Sequence, residues 1–417
     1  MIALTLRLFR PIQVHSEIFR IYRFVSLSVE TGDITPPGEK HMPDKINQRL
    51  LDINTLDPAS YDKILVQFSG GKDSLASTLL ALIALPESAR SKVELWHQDV
   101  DGKEGSTLFD WECTHAYCEA VAAHLGVPIY FQWRIGGLEG VCDRDTGDKS
   151  EAVRFEVPAS EMADPMPRAK LPQGTPRFPS VPEMINTLQT GGAGQPKRIM
   201  AFPAQGSIKA GRRCSPQAKI DPSHLALNNQ RRFVGKRILW VTGERAEEGS
   251  TETKQGPRAS YAQFERHLCD SRKKTVHHWR PVHQWTEAQV WDLIAENLII
   301  PHPAYFLGFS RLSCRPCIFI GANEMATLRR DYLATFEALA AKEIIYGKTI
   351  NSKRERGQLV KVSVNDLADK GTAFKAWPAM QAIATSRTWD GPVVYPQGKT
   401  WVLPLGAFSK SCCGPKD

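Results

Sequence analysis

The sequence predicts an α/β protein built on a doubly wound, mostly parallel sheet. Four short apolar runs, each bounded by turn residues, have the length and composition of buried strands: Lys63–Phe68, Val93–His97, Pro128–Trp133 and Arg237–Thr242. The chain between successive runs is long enough for a helix. Strands that alternate with helices are typical of parallel sheets, because a parallel pair needs a long crossover connection.

Two helices are predicted from their own sequence signals. The segment LASTLLALIAL that follows Ser74 is apolar on nearly every side, which indicates a helix buried between the sheet and other elements. A second helix begins after Thr286, whose hydroxyl can cap it, and Gln289 can complete a capping box. This helix continues through Ile294.

The composition suggests three regions along the chain. Residues 1–55 are predicted to be a weakly structured lead-in, residues 56–330 the main domain, and residues 331–417 a C-terminal extension with helical and cysteine-containing segments. About residues 143–210 are rich in proline, glycine and charge. We expect an insertion there, because so long a structureless loop is uncommon inside a compact domain.

The charge of the chain suits a polyanionic partner without proving one. Its 417 residues carry a formal net charge of +8. Lysine and arginine dominate nucleic-acid affinity by neutralising phosphates, so DNA or RNA is one predicted partner. No single basic run accounts for the excess, however, and a solvated basic surface is the alternative interpretation.

The cysteine content and the N-terminus bear on the compartment. The nine cysteines are scattered along the chain, which favours a reducing environment and predicts a cytoplasmic protein. No apolar run reaches the roughly 20 residues that span a bilayer, so no membrane association is expected. Arginines and a proline interrupt the N-terminus, which excludes a secretory signal. Residues 1–41 have two other interpretations, an organellar presequence and an upstream translational extension that ends before Met42. The extension is preferred.

The segment Ser69–Ser74 has the features of a phosphate-binding loop between a strand and a helix. The start of a helix exposes unpaired N–H groups and the positive end of its dipole, and Gly70 and Gly71 let an anion approach that backbone closely. Lys72 is informative because a cation in the first turn is disfavoured unless an anion is also present. Ser74 can cap the helix or donate to a phosphate, as can Ser69. An ordinary capped glycine turn is the alternative.

The loop resembles that of a known superfamily. Ser69–Ser74 is similar to the SGGKDS loop of the N-type ATP pyrophosphatases, the PP-loop superfamily, and lacks the Walker pattern. The resemblance implies a Rossmann-like fold of the adenine nucleotide alpha-hydrolase type. It also implies that ATP binds with Mg²⁺ and is attacked at the α-phosphorus, with release of pyrophosphate. Lys72 and the loop amides would stabilise the departing charge, and Asp73 would help to hold Mg²⁺.

Three later motifs resemble the phosphoadenosine phosphosulfate reductase family. They are Arg212–Lys219, Gly243–Glu248 and His302–Phe319, and the resemblance covers about residues 60–330. Because Gly243 and Arg245 follow a predicted strand, they should lie at the carboxyl edge of the sheet, where open α/β folds bind ligands.

The resemblance also suggests roles for the basic residues of these motifs. Arg245 would contact a phosphate or sulfate; the alternative is an ion pair with Glu247 or Glu248 on a solvated loop. Arg213 and Lys219 would bind substrate from a basic segment, which Pro216 suggests is a loop.

Cys314–Cys317 is a C-x2-C turn whose spacing lets two thiolates bind one metal. By resemblance to sulfur-modifying relatives with an iron-sulfur cluster, Cys214 would be a third ligand and Cys269 a weaker fourth. A [4Fe-4S] cluster, zinc, and two buried thiols without metal are the three interpretations. Ala304 stands where relatives often have cysteine, which leaves the ligand set incomplete.

The intact end of the loop favours one function over another. True phosphosulfate reductases have this part of the loop altered, whereas Lys72, Asp73 and Ser74 are all present here. The resemblance therefore favours an ATP-dependent adenylating enzyme of sulfur metabolism or nucleic-acid sulfur modification, like the small subunit of ATP sulfurylase or the protein that activates DNA for phosphorothioation. Lys72, Asp73 and Arg245 are its predicted catalytic residues.

Two other functions are compatible with the same motifs. One is a thioredoxin-dependent phosphoadenylyl-sulfate reductase, to which Cys412 and Cys413 would contribute as a redox pair. These adjacent cysteines bridge only with strain, so two incidental thiols are the simpler interpretation. The other is a non-catalytic nucleotide-sensing or DNA-binding component of a phage or defence assembly. In every case an adenine nucleotide is the expected ligand.

Overall fold

Most of the chain after residue 48 is described by the computed structural model. The described residues are 49–103, 106–145, 152–158, 185–188, 199–204, 212–248, 258, 260–312, 314–355 and 358–408, with residues 185–188 described as backbone alone. All of them belong to one unit, Arg49–Asp417. Residues 1–48, most of the predicted insertion, and Cys412 and Cys413 lie outside the described residues.

The described strands form one large sheet and one hairpin. Their bounds are β1 Lys63–Gln67, β2 Val93–Asp99, β3 Ile129–Arg134, β4 Val153–Glu156, β5 Ile185–Leu188, β6 Arg237–Val241, β7 Phe264–Arg266, β8 Thr275–Trp279, β9 Asn351–Glu355 and β10 Gln358–Val362. The eight-stranded sheet has the order β5-β4-β3-β2-β1-β6-β8-β7. Its centre, from β3 to β8, is parallel, and β4, β5 and β7 are antiparallel additions at the two edges. β9 and β10 pair with each other.

Helices connect the strands and also occur in the C-terminal extension. Those described are α1 Lys72–Ile83, α2 Thr114–Leu125, α3 Gly137–Asp143, α4 Asp221–Asn228, α5 Glu287–Glu296, α6 Pro303–Phe306, α7 Ala322–Asp331, α8 Leu333–Tyr346, α9 Val364–Asp369 and α10 Pro378–Ala384. None of them is long and apolar enough to cross a membrane.

The predicted fold class is confirmed, and the four predicted strands are β1, β2, β3 and β6 with bounds shifted by two residues at most. The capping box of α5 is present as predicted: the Thr286 side chain accepts the Gln289 N–H, and the Gln289 side chain returns to the Thr286 backbone. β8, which pairs with β6 in parallel, was not predicted, because its sequence TVHHW contains two histidines among its apolar residues.

Successive side chains of a strand point to opposite faces of the sheet, so the apolar core is divided between the two faces. Ile64 and Val66 of β1 belong to a large cluster on the face that α1 covers, whereas Leu65 belongs to a smaller cluster on the opposite face with Trp240 and Ala226. Along the sheet, β1 has β2 on one side and β6 on the other. The chain connections therefore reverse direction beside β1, which is where open parallel sheets form a ligand crevice at their carboxyl ends.

The structure adds detail to two sequence expectations and corrects a third. Within the predicted insertion, β4 pairs with β3 and β5 pairs with β4. At the end of the predicted lead-in, the Arg49 carbonyl accepts the Arg266 N–H at 2.7 Å and the Leu51 N–H donates to the Phe264 carbonyl. The segment around Pro216 is not a loop: residues 216–220 form a π-helical turn that continues into α4. Proline is tolerated there because it occupies the first turn, where its missing N–H has no intrahelical acceptor.

The C-terminal extension packs against segments that border the sheet edge. The Gly406 N–H donates to the Tyr305 carbonyl at 2.7 Å, and the Thr372 N–H donates to the Asn323 side chain at 2.9 Å. The ring of Phe374 lies so close to Gly308 that a Cβ there would be 2.5 Å from it. The C-terminal extension thus contacts the short helix α6 and the residues that follow it.

Candidate functional site

The loop between β1 and α1 has the backbone geometry that a phosphate site requires. Gly70 has a left-handed φ of +77°, and a Cβ on it would lie 2.9 Å from the Cys118 sulfur. Gly71 is the N-cap of α1, so no N-cap side chain satisfies the N–H groups of the first turn. The loop residues Ser69–Ser74 predicted from the sequence therefore stand at an uncapped helix start.

The two serines of the loop bond to the loop itself. The Ser74 hydroxyl donates to the Gly71 carbonyl at 2.9 Å and accepts the Ser69 N–H at 3.2 Å. The two hydroxyls lie 3.2 Å apart. These bonds close the loop into a fixed turn, so in this structure the serines shape the loop, and neither acts as the N-cap.

A second loop presses against the first. Gly243 follows β6, and a Cβ on it would meet the backbone carbonyl carbon and oxygen of Asp73 at 2.7 Å and the Ser74 nitrogen at 2.8 Å. A residue with a side chain would therefore separate the two loops. The requirement for glycine at position 243 comes from this close approach of two backbones, because its φ lies outside the left-handed region.

Buried charges join the two loops. Asp73 bridges two cations: its Oδ1 accepts from Arg245 Nε at 2.6 Å, and its Oδ2 lies 3.2 Å from Lys72 Nζ. Lys72 Nζ also lies 3.6 Å from Glu287, the first residue of α5, and Arg245 pairs with Glu247. Lys72 is 8 % exposed and Arg245 4 %. Arg245 thus forms the predicted alternative ion pair with Glu247, whose side chain is exposed, and its buried guanidinium also pairs with Asp73.

The cluster keeps its members ionised. Burial by itself would lower the pKa of Lys72, but Asp73, Tyr305 and Glu287 raise it above its ordinary value. Burial would raise the pKa of Asp73, but Lys72 and Arg245 hold it below the ordinary value. The site therefore presents two cations and their carboxylates at the start of α1.

The Tyr305 hydroxyl accepts a hydrogen bond from one of the loop N–H groups. The Lys72 N–H donates to the Tyr305 hydroxyl at 3.1 Å, and the side chain of Tyr305 is buried against Gly71. Tyr305 comes from α6, where His302 accepts the Ala304 N–H and Pro303 occupies the first helical position. The motif His302–Phe319 contains Tyr305, but nothing in the local sequence indicates that this residue contacts the Ser69–Ser74 loop, more than two hundred residues earlier in the chain.

A group of aspartates at the carboxyl end of β2 was also missed. Asp101 accepts the N–H groups of Phe109 and Asp110, and Asp110 accepts a hydrogen bond from Thr114 at 2.9 Å. Burial, opposed by these N–H groups, raises the pKa of Asp101 to about 6. Burial and the neighbouring aspartates raise the pKa of Asp110 to about 8. β2 is parallel to β1, so these carboxyls lie at the same edge as the loop.

The predicted substrate-binding residues are near the site but not in the charge cluster. Arg213 donates to the Phe202 carbonyl at 3.3 Å. Lys219 lies in the π-helical turn, and its charge acts on His97 and Cys314. Both belong to the segment before α4, which contacts β2 and β3. The structure therefore brings this basic segment over the sheet but shows no ion pair between it and the Asp73 cluster in the described residues.

The proposed set of four cysteine ligands does not assemble. Cys214, Cys314 and Cys317 belong to the core on the α1 face of the sheet, whereas Cys269 packs with the cluster on the opposite face. The prediction of Cys269 as a fourth ligand is therefore wrong, because the sheet lies between Cys269 and the other three cysteines. A [4Fe-4S] cluster or zinc at the C-x2-C turn lacks its fourth residue from this set. No step below depends on such a group.

Comparison with known proteins identifies the family of the central region. Residues 195–319 match the family model described as the phosphoadenosine phosphosulfate reductase domain. This region of the chain is therefore similar to the phosphoadenosine phosphosulfate reductase domain. The matched residues include the basic segment, Gly243–Glu248 and Cys314–Cys317, whereas the Ser69–Ser74 loop precedes them. This confirms the family predicted from the sequence.

Individual relatives match shorter parts of the chain. The adenosine 5'-phosphosulfate reductases of Neisseria meningitidis serogroup B and serogroup A are 28% and 27% identical over 111 residues, which is 27% of this chain. The chain spans 38% of the length of these reductases. An uncharacterised 37.8 kDa protein of Escherichia phage 186, in the gpa 5' region, is 38% identical over 53 residues, 13% of this chain and 16% of that protein.

A solved structure with weak similarity to this chain adds nothing to this comparison. It is the FMN adenylyltransferase of Candida glabrata in complex with FAD and pyrophosphate, with 11% identity and a TM-score of 0.28 over 81% of this chain and 71% of that one. A likeness this weak carries no conclusion about fold or function. The fold is established by the strand order of the structure itself.

Proposed function

We propose that this chain binds ATP with Mg²⁺ at the Ser69–Ser74 loop and transfers the adenylyl group to a nucleophilic acceptor in sulfur chemistry. The observation that carries the proposal is the buried Lys72 at an uncapped helix start, held by Asp73 in contact with Arg245. A lysine and the backbone N–H groups of a helix start that has no side-chain N-cap suit the polyphosphate of a nucleotide. The reductase domain supports a substrate of the adenylyl class.

The proposed step is an in-line displacement at phosphorus. A nucleophilic atom of the acceptor, an oxygen of DNA or sulfate or the sulfur of sulfide, attacks the α-phosphorus of ATP, the bond from that phosphorus to the bridging oxygen breaks, and pyrophosphate leaves with the electron pair. Any proton on the acceptor passes to water. Lys72 and the N–H groups of the loop stabilise the charge that develops on the pyrophosphate. Arg245 contributes a second cation, which Asp73 orients towards the loop.

The contacts of Asp73 favour a positioning role over Mg²⁺ ligation. Its Oδ1 is bonded to Arg245 and its Oδ2 faces Lys72. Direct coordination of Mg²⁺ would require one of these cations to give up its partner. We therefore assign Asp73 the role of holding Lys72 and Arg245 in place, with Mg²⁺ entering on the nucleotide phosphates.

Pyrophosphate release tests this function. The full-length protein is incubated with ATP and Mg²⁺ together with DNA, sulfate or sulfide as acceptor, and pyrophosphate is measured. Lys72→Ala should abolish the release that the correct acceptor stimulates, and Lys399→Ala, which removes an exposed lysine, should not. Unchanged activity in Lys72→Ala would rule the mechanism out. Calorimetric binding of ATP without pyrophosphate release would favour the nucleotide-sensing or DNA-binding alternative.

Reduction of an adenylyl sulfate is the second candidate, and the reductase domain is the observation that favours it. The similar Neisseria proteins are named adenosine 5'-phosphosulfate reductases. Sulfite formation from adenylyl sulfate or phosphoadenylyl sulfate with thioredoxin tests this activity directly. Sulfite production that disappears in Cys412→Ser or Cys413→Ser would establish the reductase and displace the adenylation proposal.

A further inference from the structure

Three metal-binding side chains converge on the sheet face opposite α1. They are His224 of α4, and His267 and Cys269, which follow the edge strand β7. One ligand atom from each lies within 4.8 Å of the other two. His267 is buried, and His224 and Cys269 are half-buried. None of them belongs to the Asp73 cluster, and the domain match assigns them no role.

We propose that His224, His267 and Cys269 form a Zn²⁺ site with three protein ligands and one position open to water. Two imidazoles and a thiolate are the donor types that zinc prefers, and hard cations such as Mg²⁺ avoid them. The site ties α4 to the β7 edge of the sheet. It lies on the opposite face from Cys314 and Cys317, so it is separate from any group bound there.

The geometry of the two imidazoles fits a shared metal. Their ring centres are 5.0 Å apart with an interplanar angle of 85°. Two imidazoles bound to one Zn²⁺ at about 2.0–2.1 Å with a tetrahedral angle would have ring centres about 5 Å apart. The three ligand atoms lie within 4.8 Å of one another, and neighbouring ligands of a tetrahedral zinc are about 3.5 Å apart, so each pair would approach by about 1.3 Å at most. Side-chain rotation supplies movements of that size.

Surrounding residues hold the ligands in place. His267 stacks on Trp240 of β6, with ring centres 4.8 Å apart. The Cys269 N–H bonds to His267 Nδ1 at 3.2 Å, which closes the turn that carries both ligands. The Asn228 amide, one turn beyond His224 on α4, donates to the Cys269 sulfur at 3.6 Å. Such contacts around a metal ligand orient it and support metal affinity.

Other nearby groups are already engaged. His278 lies beside His267, with ring centres 5.1 Å apart, but its Nε2 is 2.7 Å from the Thr242 hydroxyl. Zinc binds the neutral imidazole and the thiolate, so metal binding releases the proton of the Cys269 thiol to water.

The site has a consequence for the basic segment described above. α4 continues directly from the turn that contains Lys219. A metal that fixes α4 to the edge of the sheet would also fix the orientation of this turn. Metal bound only by the folded chain also stabilises it, so the Tm should rise with zinc concentration.

Metal titration of the full-length protein tests the proposal. Chelator-treated protein is titrated with ZnCl₂ by calorimetry and with CoCl₂ by absorption, where a cobalt–thiolate bond gives a charge-transfer band in the near ultraviolet. The double variant Cys314→Ser/Cys317→Ser should keep the band and the zinc-dependent rise in Tm. Cys269→Ser should lose the band, and His224→Ala should weaken zinc binding by at least about tenfold.

Two further measurements keep the outcome decisive. His224→Cys supplies a second thiolate and should restore zinc binding with a stronger cobalt band, which a purely structural role of His224 would not produce. Circular dichroism of the zinc-free variants checks that each is folded. The proposal is overturned if the folded wild-type protein binds no zinc, if His224→Ala and Cys269→Ser bind it normally, or if only the Cys314→Ser/Cys317→Ser variant loses the band.

Discussion

The close approach of Gly243 to the phosphate loop gives the sharpest test of the site. In Gly243→Ala the added Cβ would lie 2.7 Å from the Asp73 carbonyl carbon and oxygen, where ordinary contact begins at 3.4 Å. The two loops must therefore separate by about 0.7 Å to relieve the overlap. Both contacting groups are backbone, so no flexible side chain can move aside instead.

The size of that displacement sets the expected loss. A misplacement of about 1 Å at a reacting group reduces activity by about 100-fold, so 0.7 Å should reduce kcat/KM for ATP by about 10- to 100-fold. Overpacking of this kind destabilises by about 1–3 kcal/mol, so the Tm should fall by only a few degrees. Calorimetric affinity for ATP with Mg²⁺, pyrophosphate release and the Tm are measured on the same preparation.

A matched substitution separates the contact from the general effect of glycine replacement. Gly391→Ala adds a methyl group whose nearest neighbour would be 3.9 Å away, in the Trp389 ring. It should leave nucleotide binding unchanged. If Gly243→Ala binds and turns over ATP as the wild-type protein does, the Gly243 loop is not part of the nucleotide site, and the assignment of Arg245 to that site fails with it.

Other substitutions test individual contacts of the site. Tyr305→Phe frees the Lys72 N–H for a phosphate oxygen and should strengthen calorimetric ATP binding by about fivefold, the worth of a hydrogen bond of about 1 kcal/mol; weaker binding would show that the hydroxyl helps to form the loop. Asp73→Asn removes the carboxylate that Lys72 and Arg245 share, so it should lower the Tm. ATP with Mg²⁺ should restore part of the lost Tm, because a phosphate replaces the missing anion. A Tm that ATP with Mg²⁺ does not raise would contradict this role of Asp73. The pKa of Asp110 is raised to about 8. An acid whose pKa is raised in the folded state stabilises the fold fully below its unfolded pKa and loses that contribution as the pH rises through the folded pKa. Asp110→Asn should therefore flatten the decline of the free energy of unfolding, measured with urea, between about pH 4 and pH 8. An unchanged slope would show that Asp110 is ionised in the folded protein.

The parts of the fold that were predictable depend on local pattern. β1, β2, β3 and β6 are apolar runs of five to seven residues, and the capping box at Thr286 is a signal contained within four positions. The loop after β1 was found for the same reason. β4 and β5 were missed because β4 joins the sheet by pairing with β3 and β5 by pairing with β4, and such pairing leaves little trace in segments of only four residues.

The parts of the site that were missed depend on contacts between distant segments. Tyr305 reaches the Lys72 N–H, and Glu287 reaches the Lys72 ammonium, only because α5 and α6 pack beside α1. Cys269 was proposed as a weaker fourth ligand by resemblance to cluster-binding relatives, but residue type does not tell which face of a sheet a residue occupies. Once β6 and β8 are placed, Trp240 and the neighbouring histidines show that Cys269 belongs with His224 and His267.

The structure also changes the meaning of Lys72. From the sequence, a lysine in the first turn of a helix indicates an anion at that position. In the folded chain that anion is the carboxylate of Asp73, with Glu287 beside it, and the Tyr305 hydroxyl occupies the Lys72 N–H. The charge at the loop is therefore already balanced before a nucleotide arrives, so Lys72 alone cannot supply the attraction for a polyphosphate. If ATP binds as proposed, it must displace the Tyr305 contact and bring Mg²⁺ to offset the nearby carboxylates, so we expect occupancy of the loop to depend on the cation bound with the nucleotide.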